Sequence, residues 1–265
     1  MGKIMNKSVL LLTVAASMAG FFSCAAQSVL IGQDNFDGTA TYLTRGSSLT
    51  NNSSTVTWEV VNRSNVQSAQ MLDTSKYLAN GSAGDGTDTL GFLKSTKTDS
   101  FFGLYRGGLT AARTLTYTFN IAGYTNLNLA MDWAATGDIP DPLITMDYSI
   151  DGAAAKTNFV IGVQANANWI QTMEDGRSVT NARAGKVTVN GVAGTSLSDV
   201  FQTYTPTITG TGSVLTVTLK MATSSTLCAF GMDNLKLSGT AIIPPKQLLG
   251  LYIVGAIGQG AVSSR

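Results

Sequence analysis

The chain has 265 residues, 44% of them hydrophobic, only 12% charged, and a formal net charge of +1. It contains no histidine, which excludes imidazole-based acid–base catalysis, Ser-His-Asp and Cys-His arrangements and His-ligated metal centres. Near-neutral charge with scattered basic residues gives no electrostatic footprint for nucleic acid, so no nucleic-acid partner is expected.

Residues 1–26 read as an export signal. Lys3 and Lys7 form a basic start, Val9 to Phe22 are apolar or small, and Ser23, Cys24, Ala25 and Ala26 offer the small residues a signal peptidase needs. Cleavage after Ala26 predicts a mature start at Gln27 and a secreted or cell-surface location. It also leaves Cys228 as the one cysteine of the mature chain, hence no disulfide. Cys228 lies in an apolar stretch and reads as a buried thiol.

From Gln27 to Thr240 the dominant signal is period-two alternation between apolar residues and Thr, Ser or Asn. Leu115, Tyr117 and Phe119 alternate with Thr114, Thr116 and Thr118, and Leu127, Leu129, Met131 and Trp133 with Asn126, Asn128, Ala130 and Asp132. Ile144, Met146, Tyr148 and Ile150 follow the same rule, as do Leu215, Val217, Leu219 and Met221. Each run predicts an antiparallel strand with one face on a core and one in water. Further strands are expected at Thr55–Val61, Thr89–Leu93, Lys156–Val163, Lys186–Asn190 and Val200–Thr205. Asp151-Gly152, Asn190-Gly191 and Asn80-Gly81 mark hairpin turns. Ten to twelve short strands with Gly-marked turns and no helical periodicity predict an all-β fold, a single antiparallel β-sandwich of the jelly-roll kind over residues 27–240.

Residues 241–265 depart from this pattern. Pro244-Pro245 interrupts it, and Leu248 to Val262 is apolar and glycine-rich before a lone terminal Arg265. This tail looks like the C-terminal sorting signal of bacterial PEP-CTERM exoproteins, though it lacks the Glu between the prolines, is short for a membrane span, and has one Arg for a cluster. It reads as a degenerate signal, or a frayed tail, with at most weak or transient membrane association.

Two short motifs bound the domain. Asn35-Phe36-Asp37-Gly38 opens it, and Phe230-Gly231-Met232-Asp233-Asn234-Leu235-Lys236-Leu237 closes it. The closing motif resembles the final strand of a secreted jelly-roll family that includes many carbohydrate-binding modules and PEP-CTERM exoproteins. The resemblance implies a polysaccharide partner and a structural Ca2+ near the two ends. Asp34, Asp37 and Asp233 are the metal ligands it points to, since calcium takes several oxygen donors. The alternative is that Asp37-Gly38 is a turn and Asp233-Asn234 a side-chain cap.

For sugar contacts, rings beside carboxylates single out Trp133, Asp138, Asp141 and Trp169. Trp58 and Trp133 also sit on strand alternation, so at least one of them is expected in the core. Only Glu59 and Glu174 stand beside fourteen aspartates, and no E-x-D-x-E strand appears. A non-catalytic, carbohydrate-binding or matrix-associated protein is therefore the expected function. The alternative is an aspartate-dependent glycoside hydrolase or related extracellular enzyme using Asp132, Asp138 and Asp141.

Overall fold

A computed structural model of the chain describes residues 28–38, 40–42, 44–45, 57–61, 99–105, 113–139, 143–172, 178–198, 200–222 and 228–242. The expected export signal, the tail beyond Ile242, the Thr89–Leu93 strand, the Asn80-Gly81 turn and Asp141 lie outside these residues.

The architecture is an antiparallel β-sandwich. One sheet runs in the order β14 (Gln202–Tyr204), β7 (Tyr124–Gly137), β16 (Cys228–Ala241), β1 (Ser28–Asp34) and β2 (Ala40–Thr41). The free edge of β16 is shared: β1 pairs along its second half, and β5 (Phe101–Tyr105) along Ala229–Met232. β4 (Thr57–Val61) pairs with β5 outside it. We call this the terminal sheet, because it holds the first and last strands.

The second sheet runs β13 (Val192–Ser196), β12 (Ala184–Val189), β9 (Lys156–Gln164), β8 (Leu143–Ile150), β15 (Val214–Ala222), β6 (Arg113–Asn120), β3 (Thr44–Arg45). A two-stranded ribbon of β10 (Trp169–Thr172) and β11 (Ser178–Asn181) stands apart.

Alternation decides what fills the space between the sheets. Leu115, Tyr117, Phe119, Ile144, Met146, Leu215, Val217 and Leu219 from the second sheet meet Leu129, Met131, Trp133, Leu235 and Leu237 from the terminal sheet, each at most 1% exposed. Burying such side chains is worth about 1.5–3 kcal/mol apiece, so register is strongly specified: a one-residue slip would turn the whole set to water. Asp151 and Gly152 (φ 51° and 75°), like Asn190 and Gly191 (φ 52° and 77°), take the paired left-handed conformation of a tight hairpin turn.

The closing Asp233-Asn234 is neither a plain strand nor an end cap. Asp233 pairs with Asp132, but the next pair is Lys236 with Ala130, so β16 carries one more residue than β7 over that interval. The excess is a β-bulge, and Asn234 occupies the left-handed region at φ 50°. A second bulge inserts Asn158 into β9, between the pairs Met146–Phe159 and Asp147–Thr157.

Candidate functional site

The three aspartates expected to hold calcium are not brought together. Among the described residues, no group of three or more His, Cys, Asp or Glu side chains is placed to hold a metal ion. The reason is the pleat. Asp34 faces inward: its Oδ2 accepts a hydrogen bond from the Tyr117 hydroxyl of the opposite sheet at 3.2 Å. Its Oδ1 accepts the Phe36 N–H at 3.2 Å, which pins Phe36 at φ 56° with its ring stacked on Phe102. Asp233 faces outward, beside its register partner Asp132, whose neighbours Met131 and Trp133 point into the core. Cross-strand partners share a face, so Asp34 and Asp233 lie on opposite sides of one sheet. Asp37 is exposed, and its Oδ1 accepts the Ser100 N–H at 2.6 Å.

The expected sugar contacts are also redistributed. Trp133 is 1% exposed and stacks on Phe159 at 5.8 Å between centroids, so neither ring face is open to a ligand. Asp138 is 3% exposed and accepts hydrogen bonds from the Arg183 backbone N–H at 3.0 Å and from its Nε and Nη2. That clamp fastens the end of β7 to the segment leading into β12. Trp169 is half-buried at the start of β10, packed against the core. Asp132 accepts the Thr203 hydroxyl at 2.6 Å and the Asn234 side-chain amide at 2.9 Å.

What the fold does assemble is the outward face of the second sheet. Because Leu115, Tyr117 and Phe119 point inward, Thr114, Thr116 and Thr118 point out. The same holds for Thr216, Thr218 and Lys220 on β15 and for Thr145, Asp147 and Ser149 on β8. Register aligns them in rows. Thr118, Thr216 and Ser149 form one, Thr116, Thr218 and Asp147 the next, and Thr114, Lys220 and Thr145 the third. Lys186 and Thr188 continue the polar face on β12. Thr116, Thr118, Thr145, Thr216, Thr218 and Ser149 make no side-chain hydrogen bond to another described residue.

One ion pair sits within this face. Lys220 Nζ lies 2.7 Å from Asp147 Oδ2, and the Thr157 hydroxyl donates to Asp147 Oδ1 at 2.5 Å. Burial alone would raise the Asp147 carboxyl above its usual 3.8, but the hydrogen bonds from Lys220 and Thr157, with the lysine charge, outweigh it and hold the group below that value. Among the described outward positions of β6, β15 and β8 there is no aromatic ring. The face was legible in the sequence, because the threonines occupy the polar half of the same alternation that announces the core.

No protein-family model matches the chain, and no curated protein sequence matches it. Among solved structures it overlaps the enzymatically active domain of tailspike protein 4 from bacteriophage CBA120, at 10% identity and a TM-score of 0.29. That overlap covers 54% of this chain and spans 16% of the tailspike's length. The Stig cyclase Fisc from Fischerella sp. TAU, solved in complex with a pyrrolidinylidene-indole, aligns at 11% identity and a TM-score of 0.32, covering 84% of this chain and 93% of that one. A CBM4 structure aligns at 11% identity and a TM-score of 0.23, covering 52% and 83%. Likenesses this distant carry no argument about ligand or activity. The class that the fold and face define is an antiparallel β-sandwich with a hydroxyl-lined sheet.

Proposed function

We propose that this chain is a non-catalytic carbohydrate-binding protein of the cell exterior, and that it holds polysaccharide along the outward face of β6, β15 and β8. The observation that carries the reading is the three-row array of Thr and Ser hydroxyls on rigid strands. A hydroxyl both donates and accepts, which matches the hydroxyl-rich edge of a sugar. Each such bond replaces one with water and nets only about 0.5–1.5 kcal/mol. Useful affinity then needs many contacts repeated along a polymer, which favours a polysaccharide over a small ligand. The lack of aromatic platforms on the face fits weak, hydrated contact. Against the enzyme alternative, Asp132 and Asp138 each have protein donors on both carboxylate oxygens.

A glycan array combined with affinity gels of soluble polysaccharides tests this. Retardation of the wild-type chain is expected, reduced severalfold by Thr218→Arg, which plants a bulky cation at the centre of the face. Silence on the array and in every gel would sink the carbohydrate reading. Turnover of glycosides or esters would restore the enzyme.

A further inference from the structure

A cavity of about 220 Å³ opens at the end of the sandwich where the β8–β9 turn faces the segment Thr209–Thr211. We propose that this cavity is a subsite for a single anionic sugar residue, one bearing a carboxylate or a sulfate ester. The inference rests on the carbohydrate reading and deepens it. Ser149 belongs both to the cavity lining and to the hydroxyl row with Thr216 and Thr118, so the cavity adjoins the end of that face.

The cavity is preformed. The Tyr148 hydroxyl lies 2.8 Å from Thr209 Oγ1 and accepts the Thr209 N–H at 3.2 Å, tying the loop to β8. Gly210 stands at φ 120°, and a Cβ there would come within 3.1 Å of Ile150 Cδ1, so the loop closes down on β8 only because it carries glycine. The volume falls short of the ~300–1,000 Å³ typical of pockets for drug-sized ligands, which suits one ring rather than an oligosaccharide.

Charge selects the ligand class. Lys156 Nζ sits over the Tyr148 ring, 6.0 Å from its centroid, and pairs with no carboxylate among the described residues. The acid that also lines the cavity is already committed: Asp151 accepts the Ser213 N–H at 3.0 and 3.1 Å and the Val214 N–H at 2.8 Å. Two amide dipoles therefore face the one negative group, while the lysine keeps its donors for a ligand. With Ser149, Thr209 and Thr211 also lining the cavity, Lys156 offers an anion a charge-assisted bond, about twice as strong as a neutral one.

Affinity electrophoresis of the full chain tests the assignment, with polygalacturonate as the carboxylate probe, dextran sulfate as the sulfate probe and neutral dextran and pullulan as controls. At least one anionic polymer should retard the protein more than the neutral ones, less so as salt rises. Lys156→Met should weaken that retardation about tenfold, and so should Ala154→Trp, which plugs the cavity mouth from an exposed turn. Lys236→Met, an exposed cation on the other sheet, should leave it unchanged. The polymer that responds to Lys156→Met distinguishes carboxylate from sulfate. Retardation by neutral glycans with no effect of Lys156→Met or Ala154→Trp would overturn the anionic subsite and leave the carbohydrate reading standing. An equal loss with Lys236→Met would overturn it too, as attraction by net charge. No retardation by any polymer would overturn both.

Discussion

Asp233 lies directly opposite Asp132 on neighbouring strands, and a single side-chain amide, Asn234 Nδ2, donates to both, at 3.3 Å and 2.9 Å. Two carboxylates in cross-strand register repel, and Asn234 offsets this from within the bulge. Replacing Asn234 by Ala removes the bridge and also the short polar side chain that lets Asn occupy the left-handed region, each costing about 1–2 kcal/mol. Urea unfolding should show a loss of about 2–4 kcal/mol for Asn234→Ala, and a smaller one for Asn234→Gly, which keeps the backbone conformation. Equal stability in all three would mean that the amide does not bridge the pair.

Calcium has a direct test. With Asp34 on the core side of the sheet and Asp233 buried on its other side, thermal unfolding in millimolar calcium and in chelator should coincide. A bound ion at a hundred times its Kd would add about 2.7 kcal/mol. A rise of several degrees with calcium would therefore show a site built from other donors.

Trp133 should behave as a core residue. Trp133→Ala removes a ring stacked on Phe159, and large-to-small changes of this kind cost about 3–5 kcal/mol. Its fluorescence should be blue-shifted, shielded from acrylamide and indifferent to any glycan. A glycan-dependent change lost specifically in Trp133→Phe would contradict the placement.

The Asp138–Arg183 clamp predicts a loss of about 1.5–3 kcal/mol on Asp138→Asn, the range for hydrogen bonds to charged groups. Asp138 is buried, so the loss should be only weakly salt-dependent. Chemical denaturation at low and high salt measures it, and a neutral substitution would show the clamp to be idle.

Acid should unpick the ion pair on the hydroxyl face. Asp147 titrates below its usual 3.8 in the folded chain. Its contribution is therefore complete above that value and lost as pH falls through the lowered folded pKa. Lys220 is 49% exposed, so solvent screening keeps the effect small. Melting temperatures of wild type and Asp147→Asn at low salt should differ by a constant gap above pH ~5, closing below pH ~4. A gap that widens in acid would reverse the sign of the coupling.

The sequence by itself determined which residues form strands and which half of each strand is dry. At Leu115–Phe119, Leu127–Trp133, Ile144–Ile150 and Leu215–Met221 the side-chain period of a strand is two, and burial of one face leaves that period in the composition. The same rule already located the threonine face, and turn chemistry located Asp151-Gly152 and Asn190-Gly191. Strand pairing across long separations was decided only in three dimensions. β1 and β16, or β6 and β15, meet through contacts that no local pattern encodes. That pairing set Asp34 and Asp233 on opposite faces, spent Asp138 on Arg183, and turned Asp233-Asn234 into a bulge. It also brought Lys156, Tyr148 and Thr209 around one cavity. Alternation tells each residue whether it faces core or solvent, whereas its neighbour depends on register between distant strands, which only the packed core selects.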